Sequence, residues 1–103
     1  MYGYLEQLVA KKWTRHSNNL IDFTTTSTAL NGPEDARFVE VYADNGTLVV
    51  ETLNGGQTNA PAAGSRRVLQ GTYRIFQLPD GPQPAVHIRS LSGTVQGAVI
   101  WGS

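Results

Sequence analysis

The chain has 103 residues, eight basic and eight acidic side chains, no cysteine and a charged fraction of only 16%. That length supports one domain with a single core, and the lack of cysteine excludes a disulfide framework or a thiolate metal site. Charge is uneven along the chain. Lys11, Lys12 and Arg15 outweigh Glu6 near the start, six acids face Arg37 alone between Ser17 and Leu53, and four arginines face Asp80 alone after Asn54. The pattern suits internal compensation or complementarity between copies rather than a nucleic-acid footprint.

A short helix over residues 4–12 is suggested by Leu5, Leu8 and Val9, which with Trp13 just beyond fall on one side at helical spacing. This predicts a short N-terminal helix or an extended arm over residues 1–19, closed by the break Ser17-Asn18-Asn19. A segment so short gains order only against a partner. Trp13 beside Lys11, Lys12 and Arg15 joins an aromatic anchor to cations, as protein interface hot spots do; a tether packing on its own domain is the plain alternative. The candidate partner-binding residues are therefore Leu5, Leu8, Val9, Lys11, Lys12, Trp13 and Arg15. The apolar stripe is too short for firm membrane binding. No apolar run is long enough to span a membrane, and no secretory signal opens the chain.

A single β-domain is expected over residues 20–103. Leu20-Ile21-Asp22-Phe23-Thr24-Thr25-Thr26 has the β-branched content of a strand, and Asn31-Gly32-Pro33 is turn chemistry. The central stretch is Arg37-Phe38-Val39-Glu40-Val41-Tyr42-Ala43, then Asp44-Asn45-Gly46-Thr47, then Leu48-Val49-Val50-Glu51-Thr52-Leu53. Two β-prone runs around Asn-Gly predict a hairpin with a type I′ turn, Val41 facing Val50 and Val39 facing Thr52 on the core side. A three-residue loop with a bulge would shift that register by one.

Residues 54–65 are a loop of small side chains. Strands are expected at residues 66–70, 72–78, 85–91 and 94–101, with turns at Pro79-Asp80-Gly81-Pro82 and Ser92-Gly93. Val86, Ile88 and Ser90 alternate with His87, Arg89 and Leu91, and Gly97 marks a bulge or a close backbone approach. Six to eight short strands with turns between them predict an all-β fold, an antiparallel sandwich or barrel of the jelly-roll type.

Residue chemistry offers little catalysis. Glu40 and Glu51 would face each other across the hairpin, but a solvated or arginine-paired role explains them more simply than acid/base work. His16 and His87 lack the spacing of a metal motif. No G-x-S-x-G elbow supports a hydrolase. Asp44-Asn45-Gly46 lacks the later ligands of a calcium loop, and Asn54-Gly55-Gly56 lacks the Lys-Ser/Thr of a phosphate cradle. No enzyme, cofactor, metal, nucleic acid or membrane partner is expected.

A family resemblance adds to this. A Thr-rich lead at Asp22-Phe23-Thr24-Thr25-Thr26-Ser27-Thr28-Ala29-Leu30 precedes Ala36-Arg37-Phe38-Val39-Glu40-Val41 and Gly46-Thr47-Leu48-Val49-Val50-Glu51-Thr52. After Gly64 comes the basic run Arg66-Arg67-Val68-Leu69. The end is Val86-His87-Ile88-Arg89-Ser90-Leu91-Ser92-Gly93-Thr94 and Gly97-Ala98-Val99-Ile100-Trp101. Residues 36–101 resemble small all-β virion proteins of tailed phages and gene transfer agents, of the head spike base or capsid-associated type. The basic N-terminal arm is extra to that pattern, and residues 71–84 insert a strand and a Pro-rich turn. The resemblance implies a non-enzymatic structural protein located in a virion. It would attach to a capsid as a spike base, decoration protein or minor capsid component, assembling symmetrically as a homo-oligomer against a capsid or a spike or fibre protein. A small carbohydrate- or surface-binding β-module is the alternative, with Tyr2, Tyr4, Trp13, Tyr42, Tyr73 and Trp101 as stacking platforms.

Overall fold

The computed structural model describes residues 12–54, 66–79, 81 and 83–103, and every regular element among them is a β-strand. In chain order these are β1 (Trp13–Arg15), β2 (Ile21–Phe23), β3 (Thr28–Asn31), β4 (Phe38–Ala43), β5 (Leu48–Asn54), β6 (Arg66–Val68), β7 (Tyr73–Gln77), β8 (Pro84–Ser90) and β9 (Val95–Gly102). They form two antiparallel sheets. The five-stranded sheet runs β1-β9-β4-β7, with β2 also on β9, and the four-stranded sheet runs β3-β8-β5-β6.

Alternation within the strands builds the core. Val39, Val41 and Ala43 of β4 point inward, as do Val95, Val99 and Trp101 of β9 and Phe76 of β7; all are buried. From the other sheet come Leu48 and Val50 of β5, Val68 of β6, and Val86 and Ile88 of β8. These residues form one apolar cluster with Phe23. The alternation read in β8 holds: Val86, Ile88 and Ser90 are each 0% exposed, while His87 and Arg89 are half-buried.

The expected hairpin does not form. β4 pairs with β7 and β9, whereas β5 pairs with β6 and β8, so the chain crosses from one sheet to the other between them. Val41 and Val50 are both fully buried, but they belong to different sheets rather than to one ladder. Neither Asn45 nor Gly46 has the positive φ that a type I′ turn needs. Their chemistry serves the crossing instead. Asn45 Oδ1 accepts a hydrogen bond from the Gln96 backbone N–H at 2.7 Å. A Cβ on Gly46 would run into Val95 Cγ2, so glycine lets the crossing lie against β9.

Gly97 is a close approach, as its place in a strand suggested. An added Cβ there would meet the Tyr42 carbonyl oxygen at 2.5 Å and Leu48 Cδ1 at 2.8 Å. Of the segment expected to be helical, residues 4–11 lie outside the described residues. Lys12 is not helical; its backbone exchanges two hydrogen bonds with Ser103, at 3.0 and 2.9 Å. Trp13–Arg15, placed in the arm by the sequence, is β1 and pairs with Ile100–Gly102 of β9. Thr28–Asn31, leading into the expected Asn31-Gly32-Pro33 turn, form β3, and the reversal follows it, with Ala36 N–H on the Pro33 carbonyl at 3.0 Å.

Candidate functional site: the outer face of the five-stranded sheet

Residues directly opposite one another on neighbouring strands point to the same side of a sheet. The registers therefore define the outward rows. One row is Trp13, Gly102, Phe38 and Gln77; the next is Arg15, Ile100, Glu40 and Ile75; the third is Ala98, Tyr42 and Tyr73. The intervening row of Trp101, Val39 and Phe76 faces the core, with exposed Thr14 at its end. A fourth outward row holds Asp22 opposite Gln96, and Asp44, whose N–H donates to the Gln96 carbonyl at 2.8 Å.

This face is unusually apolar for the outside of a sheet. Trp13, Phe38, Tyr42, Tyr73, Ile75, Ala98 and Ile100 are all half-buried. At its centre, on β4, sits Glu40, which is only 1% exposed although its register points outward. A hollow of about 300 Å³ opens beside it, lined by Arg15, Leu20, Glu40, Tyr42 and Tyr73 among others. The Tyr42 hydroxyl donates to Asp44 Oδ1 at 3.0 Å. That hydrogen bond, with desolvation and the carboxylate charge adding to it, holds the Tyr42 phenol above its ordinary value.

The structure spreads the other sequence candidates apart. Glu40 and Glu51 do not face each other: Glu40 lies in the five-stranded sheet, and Glu51 lies opposite His87 in the four-stranded one. The crossing of β4 to β5 between sheets separates them. His16 accepts the Trp101 indole N–H at Nδ1, 3.1 Å away. Among the described residues, no cluster of three His, Asp or Glu is placed to hold a metal ion, and no helix is long and apolar enough to cross a membrane.

Of the candidate partner-binding residues, Leu5, Leu8, Val9 and Lys11 lie outside the described residues. Lys12 stands at the sheet edge beside Ser103, and Trp13 and Arg15 both fall on the outward rows. The residues that the sequence reading did not join to them are Phe38, Glu40, Ile75 and Ile100; Tyr42 and Tyr73 were grouped with Trp13 only as stacking platforms. Their signal was the alternation of Phe38, Glu40 and Tyr42 against Val39, Val41 and Ala43. What carried no local signal was that β9 and β7 flank that strand, with β1 on the far side of β9.

Comparison of the chain with protein-family models, with curated proteins and with solved structures finds no match.

Proposed function

We propose that the chain is a jelly-roll structural protein of a virion, in a phage particle or gene transfer agent. In this reading it assembles symmetrically and attaches to a capsid, or to a spike or fibre protein, through the outer face of its five-stranded sheet. The observation that carries this is the strand order. β1 and β2 share one edge of β9, β1 along Ile100–Gly102 and β2 along Val95–Gly97, so they count as one broken strand. The ladders then join β1 and β2 to β9, β3 to β8, β4 to β7 and β5 to β6. That is one long antiparallel hairpin rolled up so that successive pairs alternate between sheets. The contacts β4–β9 and β5–β8 close the roll. Jelly rolls build viral capsids and lectins, and the resemblance of residues 36–101 to spike base proteins favours the first.

Attachment would use Leu5, Leu8, Val9, Lys11, Lys12, Trp13 and Arg15 together with Phe38, Tyr42, Tyr73 and Ile100. Aromatic side chains around an arginine are the usual composition of a hot spot. A second reading, a carbohydrate-binding module, is favoured by one specific observation. Tyr42 and Tyr73 lie opposite each other, a stacking surface whose adjoining hollow is also lined by Arg15 and the buried Glu40.

Light-scattering mass measurement on the purified chain separates the two. A defined oligomer supports the virion reading, and its loss on deletion of residues 1–11, with far-UV circular dichroism unchanged, supports the attachment surface. A monomer that binds on a glycan array, and loses binding on Tyr42→Ala or Tyr73→Ala, overturns the virion reading in favour of the second.

A further inference from the structure

The fold sorts its charges onto two separate surfaces. β6 and β7 are the last strands of their sheets, and the gap between them is closed by one aromatic ring holding two cations. The Arg66 and Arg74 guanidinium groups lie 4.9 and 5.0 Å from the centroid of Phe76. Arg66 Nη2 donates to Thr52 Oγ1 at 2.6 Å, and Arg74 Nη1 donates to the Arg67 carbonyl at 2.8 Å. Both guanidinium groups are therefore held before any partner arrives. Arg67 and Arg89 stand on either side of Val49 on the outward row of the four-stranded sheet. Among the described residues, the Glu51 carboxylate lies 4.0 Å from Arg66. Residues 54–65, which precede Arg66, include no charged side chain.

The second surface lies on the outer face of the five-stranded sheet. Asp22 and Asp44 flank Gln96, one on each neighbouring segment. Their side chains are engaged by neutral donors, Asp22 by Gln96 Nε2 at 3.1 Å and Asp44 by the Tyr42 hydroxyl at 3.0 Å. Among the described residues neither carboxylate has an ion-pair partner within 4.0 Å. Their backbones are two strand spacings apart, about 10 Å. Two guanidinium groups on one ring are likewise at most about 10 Å apart, a distance at which like charges still repel at ordinary salt. Charges at an edge strand do discourage sheet-to-sheet aggregation. Either sign serves that purpose, so edge protection does not explain why Arg66 and Arg74 are gathered on one ring.

We propose that Arg66 and Arg74 of one copy dock on Asp22 and Asp44 of a second copy, joining the copies head to tail. This deepens the homo-oligomeric reading above and rests on it. The contact is heterologous, so its repetition closes a ring or extends a stack. Because the ring of Phe76 already orders both arginines, little side-chain freedom is lost on contact.

The test is sedimentation velocity on the full chain at about 0.05 M and about 0.5 M salt. Wild type associates at low salt and loses association at high salt. Asp22→Asn with Asp44→Asn, and separately Arg66→Gln with Arg74→Gln, each weaken association about tenfold, the order expected for two exposed ion pairs. Because the arginines also pack on Phe76, a reversal experiment removes the ambiguity of a weakened fold. Arg66→Glu with Arg74→Glu fails to associate alone, as does Asp22→Lys with Asp44→Lys, and a one-to-one mixture of the two associates. If the asparagine variant associates like wild type, or the mixture stays dissociated, the contact is wrong. A wild-type oligomer indifferent to salt and to all four variants overturns this contact while leaving the homo-oligomer reading intact; a wild-type monomer at every concentration overturns both.

Discussion

Trp101 donates its indole N–H to His16 Nδ1 across 3.1 Å, tying the penultimate residue of β9 to the residue that follows β1. The two rings are tilted by 54° with centroids 6.1 Å apart, so the contact is an N–H donation and not a stack. Trp101 is 3% exposed and its ring fills the space beside Gly32. His16→Ala leaves the indole donor without its side-chain acceptor and should cost about 1 kcal/mol. Trp101→Phe loses the same bond and also opens a void, so it should cost more, about 2 kcal/mol or above. Urea unfolding monitored by far-UV circular dichroism ranks the two, and an equal cost would show that packing around the indole contributes nothing.

Val41 and Val50 are each 0% exposed, one in each sheet. Val41→Asp or Val50→Asp buries an uncompensated charge and should destabilise the domain by several kcal/mol. Thermal melting is the measurement; a melt unchanged in either variant contradicts the burial of that side chain.

Gly46 lies against Val95 because of space and not because of backbone sign. Gly46→Ala should therefore destabilise by about 1–3 kcal/mol through overpacking. Val95→Ala removes the obstructing methyl groups, so the double variant Gly46→Ala with Val95→Ala should lose less than the two single costs combined. A strictly additive cycle would place the glycine requirement elsewhere.

The Tyr42 phenol is held above its ordinary value chiefly by its hydrogen bond to Asp44. A tyrosine whose pKa is raised in the folded state contributes stability that is complete below its unfolded value near 10 and is lost as pH rises through the folded value. Asp44→Asn should bring the Tyr42 transition down toward the ordinary range. Ultraviolet titration of tyrosinate in the variant and the wild type detects the change in one of the four tyrosines, and identical curves would contradict the role given to Asp44.

The strands that alternate cleanly, β8 above all, were legible in the sequence, because half-burial writes itself into every second residue. The partners of those strands were not. Asn45-Gly46 is local chemistry for a reversal, and such chemistry cannot distinguish a hairpin within one sheet from a crossing between two. Here the deciding contact, Gly46 on Val95, joins residues 49 positions apart. The outer face suffers the same limit. Phe38, Glu40 and Tyr42 could be read as one side of one strand, but Trp13, Ile100 and Tyr73 reach them only through ladders with distant segments. Arg66 and Arg74 read as separate cations until Phe76 is seen between them.

The position of β9 governs how the chain can acquire its structure. It is ninth in order of synthesis, yet β1, β2 and β4 all hydrogen-bond to it. A nascent chain that has released β1 through β8 can complete the four-stranded sheet, whose members are β3, β8, β5 and β6. On the five-stranded side it has only the β4–β7 pair, and β1 and β2 have no ladder to join. Closing such long loops is slow and leaves strand edges and apolar side chains exposed meanwhile. Completion of the five-stranded sheet should therefore wait for release of residues 95–102, and a ribosome stalled before Val95 should hold a chain that proteases cut readily at β1 and β2.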